Sequence, residues 1–239
     1  MAEDAPELRP GAAARTWLGA PSRRTRFSYA IVRGLIRVVA TLFGRVRIVG
    51  QEHVPTAGAF IVAPVHRSNV DFALTSLLTP TPMRYMGKDA IWKSKPLGRF
   101  VSMLGAFPVR RGAADRESLR VCREVVDGGS PLVMFPEGTR NRGPEVAELF
   151  DGTAYLAGRC GVPVVPVGIG GSEAMMPRGA RFLRFSRLVL VVGAPLSPPE
   201  RSAAGQVRRS AVKAMTAELH QELQLLFDEA QSRAGRSNG

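Results

Sequence analysis

Short apolar runs of strand length alternate with stretches of helical period down most of the chain, and that alternation leaves few architectures open. Residues 46–49, 59–65, 83–86, 106–109, 132–135, 164–169 and 188–192 read as strands. Residues 72–78, 95–104, 115–126 and 146–160 repeat apolar side chains at helical spacing. Thr79-Pro80-Thr81-Pro82 stops the first of these, and Asp127-Gly128-Gly129 is a turn. Ser197-Pro198-Pro199-Glu200 reads as a helix start, with Ser at the N-cap, Pro at N1 and Glu at N3. That last helix is expected to run to about Arg233, broken near Gly205, with Val207, Val212, Met215, Leu219, Leu223, Leu226 and Phe227 inward. The pattern predicts an α/β domain with a mixed, largely parallel sheet flanked by helices, and 239 residues suffice for one such core. The expected layout is a flexible leader over 1–25, an amphipathic basic helix over 26–44, one main domain over 45–233 and a tail over 234–239.

Charge narrows the partners. Lys and Arg total 33 against 20 Asp and Glu, a formal +13, so a polyanionic neighbour is expected: nucleic acid or an anionic membrane surface. Aromatic residues are only 7%, and no RNP, zinc-finger or helix-turn-helix signature is present, which argues against nucleic acid. Cys122 and Cys160 form no CxxC pair, and the imidazoles are His53, His66 and His220, so neither a disulfide scaffold nor a metal centre is expected. The first 25 residues lack the apolar run of a signal peptide, and a cytosolic protein is expected.

In 26–43, Phe27, Ala30, Ile31, Leu35, Val38, Val39, Leu42 and Phe43 make a helical stripe, with Arg26, Arg33 and Arg37 together on another face. A bilayer span needs roughly 20 mostly apolar residues, and each central Arg costs about 2.5–3.5 kcal/mol, so Arg33 and Arg37 disfavour a single pass. A helix lying in an anionic headgroup layer, with Arg26, Arg33 and Arg37 at the membrane surface, fits better. The competing reading is a helix packed on the domain with its cations in water.

Three clusters close strands, where open α/β sheets bind ligands. In His66-Arg67-Ser68-Asn69-Val70-Asp71, an imidazole and a carboxylate can meet only if His66 lies in a strand-to-helix turn and Asp71 in the first helical turn. Ser68 as N-cap would permit that; alternatively Ser68 and Asp71 form a capping box and His66 merely faces solvent. Gly105-Ala106-Phe107-Pro108-Val109-Arg110-Arg111-Gly112 ends on two guanidinium groups, which suit phosphate or plain solvent. Phe135-Pro136-Glu137-Gly138-Thr139-Arg140 adds an acid, a flexible glycine and another Arg. A fourth block, Val162-Pro163-Val164-Val165-Pro166-Val167-Gly168, is core or tunnel wall. There is no GxSxG elbow and no GxxxxGK[ST] loop, and Glu173 spoils GxGxxG spacing after Gly168, so hydrolase and nucleotide-enzyme readings are discounted.

Taken in order, His66-x4-Asp71, GAFPVRRG, FPEGTR and VPVVPVGI resemble the glycerolipid acyltransferase family over about residues 45–195, most of all its bacterial 1-acylglycerol-3-phosphate (lysophosphatidate) acyltransferases. The resemblance implies that 45–233 is an acyltransferase domain making phosphatidic acid from lysophosphatidic acid and an acyl thioester, acyl-CoA or acyl-carrier protein, without cofactor or metal. It implies His66 as general base and Asp71 as its support, with direct attack and no acyl-enzyme. It implies that Arg110, Glu137, Gly138, Thr139 and Arg140 form the acceptor site. Glu137, awkward beside a phosphate, would bond a glycerol hydroxyl or orient an Arg. The VPVVPVGI strand would line the acyl path. The enzyme is expected as a peripheral protein on the cytoplasmic face of the plasma membrane. The alternative reading keeps this chemistry and changes the acceptor to another lysophospholipid, glycerol-3-phosphate or a glycolipid. Many members carry Asn before the histidine, where this chain has Val65. Arg178, Arg181, Arg184 and Arg187 recur every third residue among Met175, Met176, Phe182, Leu183 and Phe185. They mark a second interfacial patch, a loop over the acceptor, or a solvated face.

Overall fold

The apolar runs pair into one seven-stranded sheet in the order β1-β7-β6-β2-β5-β3-β4. The computed structural model describes residues 23–109, 115–202 and 206–235, so the expected leader lies outside it except at its last residues, and the tail except for Ala234 and Gly235. The strands are β1 (Arg47–Val49), β2 (Ile61–Pro64), β3 (Arg84–Lys88), β4 (Ala106–Val109), β5 (Leu132–Val133), β6 (Val164–Gly170) and β7 (Val189–Val192). Pairing is parallel except between β6 and β7, so β1 and β7 run against the remaining strands. The helices among the described residues are α1 (Arg23–Gly44), α2 (Asp71–Thr75), α3 (Lys95–Met103), α4 (Asp115–Asp127), α5 (Gly152–Cys160), α6 (Ser172–Met175) and α7 (Arg209–Arg233). The mixed, largely parallel sheet flanked by helices is the fold class the alternation predicts.

Every residue of β2 and β6 is buried, as central strands of a covered sheet must be. Helix α7 lies so close on β6 that a Cβ at Gly168 would sit 2.1 Å from Leu226 O, and one at Gly170 would sit 2.2 Å from Ala230 O. Those glycines let Leu223, Phe227 and Ala230 seat directly on the sheet.

Several boundaries differ from expectation, two of them for an identifiable local reason. Helix α7 begins at Arg209, not Ser197, because Pro199 forces the residue before it out of the helical region and Leu196 exchanges backbone bonds with Val164. Residues 146–151 are not helical: the N–H of Val146 goes to Gln224 Oε1, that of Ala147 to Glu137 Oε2 and that of Phe150 to Pro136 O. Helix α1 begins at Arg23, inside the segment expected as leader.

Helix α1 corrects the expected Arg face. Tyr29, Val32 and Ala40 are buried against the domain, whereas Phe27, Ile31, Leu35, Val38 and Leu42 stand between 55% and 69% exposed. The helix therefore carries two apolar faces. Arg26 and Arg37 are exposed, but Arg33 turns inward: its Nε donates to Ser76 O at 3.0 Å and its Nη2 to Leu77 O at 3.1 Å. Those carbonyls follow the end of α2, and a guanidinium is their natural partner. Burial, with Arg37 nearby, lowers the Arg33 pKa. By length and composition alone, Thr25–Gly44 would also suffice to cross a membrane.

Candidate active site

Strands β2 and β5 are neighbours in parallel, so the loops leaving their carboxyl ends, HRSNVD and FPEGTR, meet. His66 lies in the turn after β2, and Asp71 is the first residue of α2, the arrangement needed for contact. His66 Nδ1 lies 3.1 Å from Asp71 Oδ2. The same oxygen accepts the backbone N–H groups of Arg67 and Ser68, both at 2.6 Å. Three donors on one oxygen fix the carboxylate, which is fully buried. With Nδ1–H committed to Asp71, Nε2 carries the lone pair of the imidazole. That ring stacks on Phe135, centroids 4.1 Å apart, and its side chain is 19% exposed. An imidazole held this way through one nitrogen has the chemistry that general-base work requires.

The Ser68 N–H reaches the Asp71 carboxylate as in a capping box, but the box itself does not form. Ser68 is not the N-cap of α2; Val70 holds that position, and Ser68 Oγ donates instead to Met176 O at 2.8 Å.

The matched region is continuous with this site: the acyltransferase family model covers residues 45–170, more than half of the chain. The chain belongs to the acyltransferase family. It is 26% identical over 199 residues to the 1-acyl-sn-glycerol-3-phosphate acyltransferase of Bacillus subtilis, covering 83% of this chain and 96% of that one. It is 30% identical over 188 residues to a 1-acyl-sn-glycerol-3-phosphate acyltransferase of Chlamydomonas reinhardtii, covering 76% of this chain and 55% of the longer algal protein. In fold it superposes on the crystal structure of PlsC, the 1-acyl-sn-glycerophosphate (LPA) acyltransferase of Thermotoga maritima, with TM-score 0.68 and 21% identity over 89% of this chain and 86% of that one.

Within this acyltransferase the FPEGTR acid points inward. Glu137 is 2% exposed, and its Oε1 accepts the backbone N–H of His66 at 2.8 Å. Its Oε2 accepts Arg67 Nη1 at 2.8 Å, Asn141 Nδ2 at 2.9 Å and the Ala147 N–H at 3.2 Å. Both oxygens are thus engaged by the protein, and of the two expected roles the structure places Glu137 beside an Arg. The partner is Arg67, itself 3% exposed, donating from Nη2 to Glu145 O and lying 4.6 Å over the Phe227 ring. Sequence reasoning gave Arg67 and Asn141 no role and placed Phe227 only as an inward residue of the last helix. The one signal was Glu137 itself, an acid whose presence among cations needed a buried partner.

The remaining positions divide. Gly138 has φ +66°, and its N–H donates to Phe135 O at 3.0 Å, closing the turn. A Cβ there would meet the Phe150 ring at 2.7 Å. Thr139 is exposed and Arg140 half-buried on the same turn. Arg110 lies outside the described residues. Val65, where many members have Asn, is fully buried, and its N–H is spent on Val167 O at 3.0 Å. The His66 backbone is held instead by Glu137 and by the Asn141 N–H on His66 O at 3.0 Å.

Proposed function

We propose that this enzyme transfers an acyl group from acyl-CoA or acyl-carrier protein to the free hydroxyl of 1-acyl-sn-glycerol-3-phosphate, giving phosphatidic acid. His66 Nε2 takes the hydroxyl proton, the oxygen attacks the thioester carbonyl directly, and the thiolate leaves as the tetrahedral intermediate collapses. Asp71 stabilises the imidazolium that forms. Arg140, with Arg110, receives the acceptor phosphate. The reaction is proposed to need no cofactor or metal and to run at the cytoplasmic face of the membrane, with α1 in the headgroup layer. The observation that carries the reading is the Nδ1–Oδ2 contact of 3.1 Å on a carboxylate oxygen also held by two backbone N–H groups. The acceptor named for the relatives supports the choice of substrate.

The test is purified protein with labelled acyl-CoA, a panel of lysolipid, glycerol-3-phosphate and glycolipid acceptors, and product identification by mass. Phosphatidic acid is expected as the dominant product, and a preference for an acceptor without phosphate would overturn the reading. Arg140→Ala is expected to raise the acceptor KM about tenfold or more while kcat changes little, the signature of lost phosphate binding. Unchanged KM in both Arg140→Ala and Arg110→Ala would sink the phosphate clamp.

Direct attack also makes the cysteines dispensable. Burial pushes the Cys122 thiol up to about 12, and burial together with Asp127 pushes Cys160 up to about 12. Both are therefore thiols at neutral pH, and the thiol is the unreactive form. A Cys122→Ala/Cys160→Ala variant is expected to keep near wild-type turnover; acyl-protein trapped on either sulfur would contradict the direct route.

A further inference from the structure

The segment from Met176 to Arg187 takes no part in the chemistry above, yet it presents Phe182 and Phe185 at 81% and 80% exposure. Loops do not usually offer two aromatic rings to water, and these are held out rather than left loose. Arg184 N–H donates to Met175 O at 2.8 Å, Ser186 N–H to Phe43 O at 3.0 Å, and Leu188 N–H to Gly44 O at 2.7 Å. Ser186 Oγ donates to Gly171 O at 2.9 Å. Arg178, Arg181, Arg184 and Arg187 are all exposed around the rings, and no Asp or Glu occurs between Glu173 and Glu200.

Two further contacts place this loop. Phe185 stacks on Phe43 of α1 with centroids 5.0 Å apart and planes 17° from parallel, so the aromatic pair continues the apolar surface of that helix. At the other end Ser68 Oγ bonds Met176 O, which ties the loop to the turn carrying His66. The loop thus bridges the exposed stripe of Phe27, Ile31, Leu35, Val38 and Leu42 and the catalytic turn.

We propose that 176–187 is a second membrane-docking element, in which Phe182 and Phe185 insert below the headgroups of an anionic bilayer and the four arginines lie among the phosphates. Aromatic rings beneath a ring of Arg are the composition that a charged lipid–water boundary selects, and continuity with the outer stripe of α1 sets the same plane for both. Two contiguous docking elements, one of them tied to the catalytic turn through Ser68, hold His66 at the boundary where a lysolipid presents its hydroxyl. This extends the proposed function, since docking does not depend on which acceptor is used.

The experiment uses full-length protein and vesicles of phosphatidylcholine with or without phosphatidylglycerol. Phe182→Trp is expected to show, above the wild-type spectrum, blue-shifted emission quenched by lipids brominated along the acyl chain. Phe182→Ser/Phe185→Ser is expected to lower partitioning onto phosphatidylglycerol vesicles by at least about tenfold with an unchanged melting temperature. It should also lose activity on vesicle-borne acceptor while keeping activity on a short-chain acceptor dispersed as monomers. Emission added by Phe182→Trp that the brominated lipids leave unquenched overturns the proposal, as does partitioning that ignores phosphatidylglycerol. Equal loss on both acceptor forms overturns it too, placing the loop in the acceptor pocket. Should wild-type protein act on no lysolipid, the proposed function fails, whereas quenching still decides whether the loop docks.

Discussion

Replacing His66 with alanine is expected to lower kcat by about 10³-fold, within the 10²–10⁴ range of a lost general base, while leaving the fold intact. The side chain is partly exposed, so its removal opens less of a cavity than the loss of a fully buried ring would. Asp71→Asn should fall nearly as far. An amide offers one oxygen and one NH2 where the native site places three donors on a single oxygen. Whichever way it rotates, either those donors lose their charged acceptor or the amide nitrogen is buried against Oδ1's surroundings, where no partner exists among the described residues. Steady-state kinetics with circular dichroism checks both variants. Residual turnover above a few per cent in His66→Ala would remove the imidazole from the mechanism.

The parts of this site that the sequence discloses are those set by local geometry. A fully apolar run must be a buried strand, a ligand-bearing loop must follow it, and a five-residue interval allows His66 and Asp71 to meet only across a turn. What remained hidden depends on contacts distant in the chain. Residues 146–151 have helical spacing, but their N–H groups are claimed by Gln224, Glu137 and Pro136, and such tertiary claims override local propensity. Arg33 shares a helical face with Arg26 and Arg37, yet the uncapped carbonyls of Ser76 and Leu77, more than forty positions away, draw it inward. The exposed stripe of α1 was legible as a stripe; that a second apolar face packs on the domain was not, because Tyr29 and Val32 become buried only once α2 and α3 lie beneath them.

Glu137 supplies the sharpest conflict between motif and position, and a correspondingly large expected effect. Its carboxylate joins the two catalytic loops: one oxygen holds the His66 backbone and the other the buried Arg67. Glu137→Gln keeps the shape and removes the charge, which leaves the Arg67 guanidinium buried without its counter-ion. Breaking one side of a buried pair costs about 3–5 kcal/mol, and at roughly 2–4 °C per kcal/mol that lowers the melting temperature by about 10 °C. Turnover should fall with it, mainly in kcat, because the amide's single oxygen cannot accept from both the His66 N–H and Arg67, while the proposed phosphate contact of Arg140 is untouched. The acceptor-contact role predicts the opposite split, a raised acceptor KM with an unchanged melting temperature. Arg67→Met/Glu137→Leu separates stability from positioning. Replacing a buried ion pair by apolar side chains of similar volume is often neutral or stabilising, so this variant should regain part of the melting temperature that Glu137→Gln loses, short of wild type because the His66 and Ala147 N–H groups lose their acceptor. It should still turn over slowly, since no carboxylate holds the His66 N–H. Thermal melts and kinetics of the single and double variants therefore distinguish a brace between two loops from a hand on the substrate.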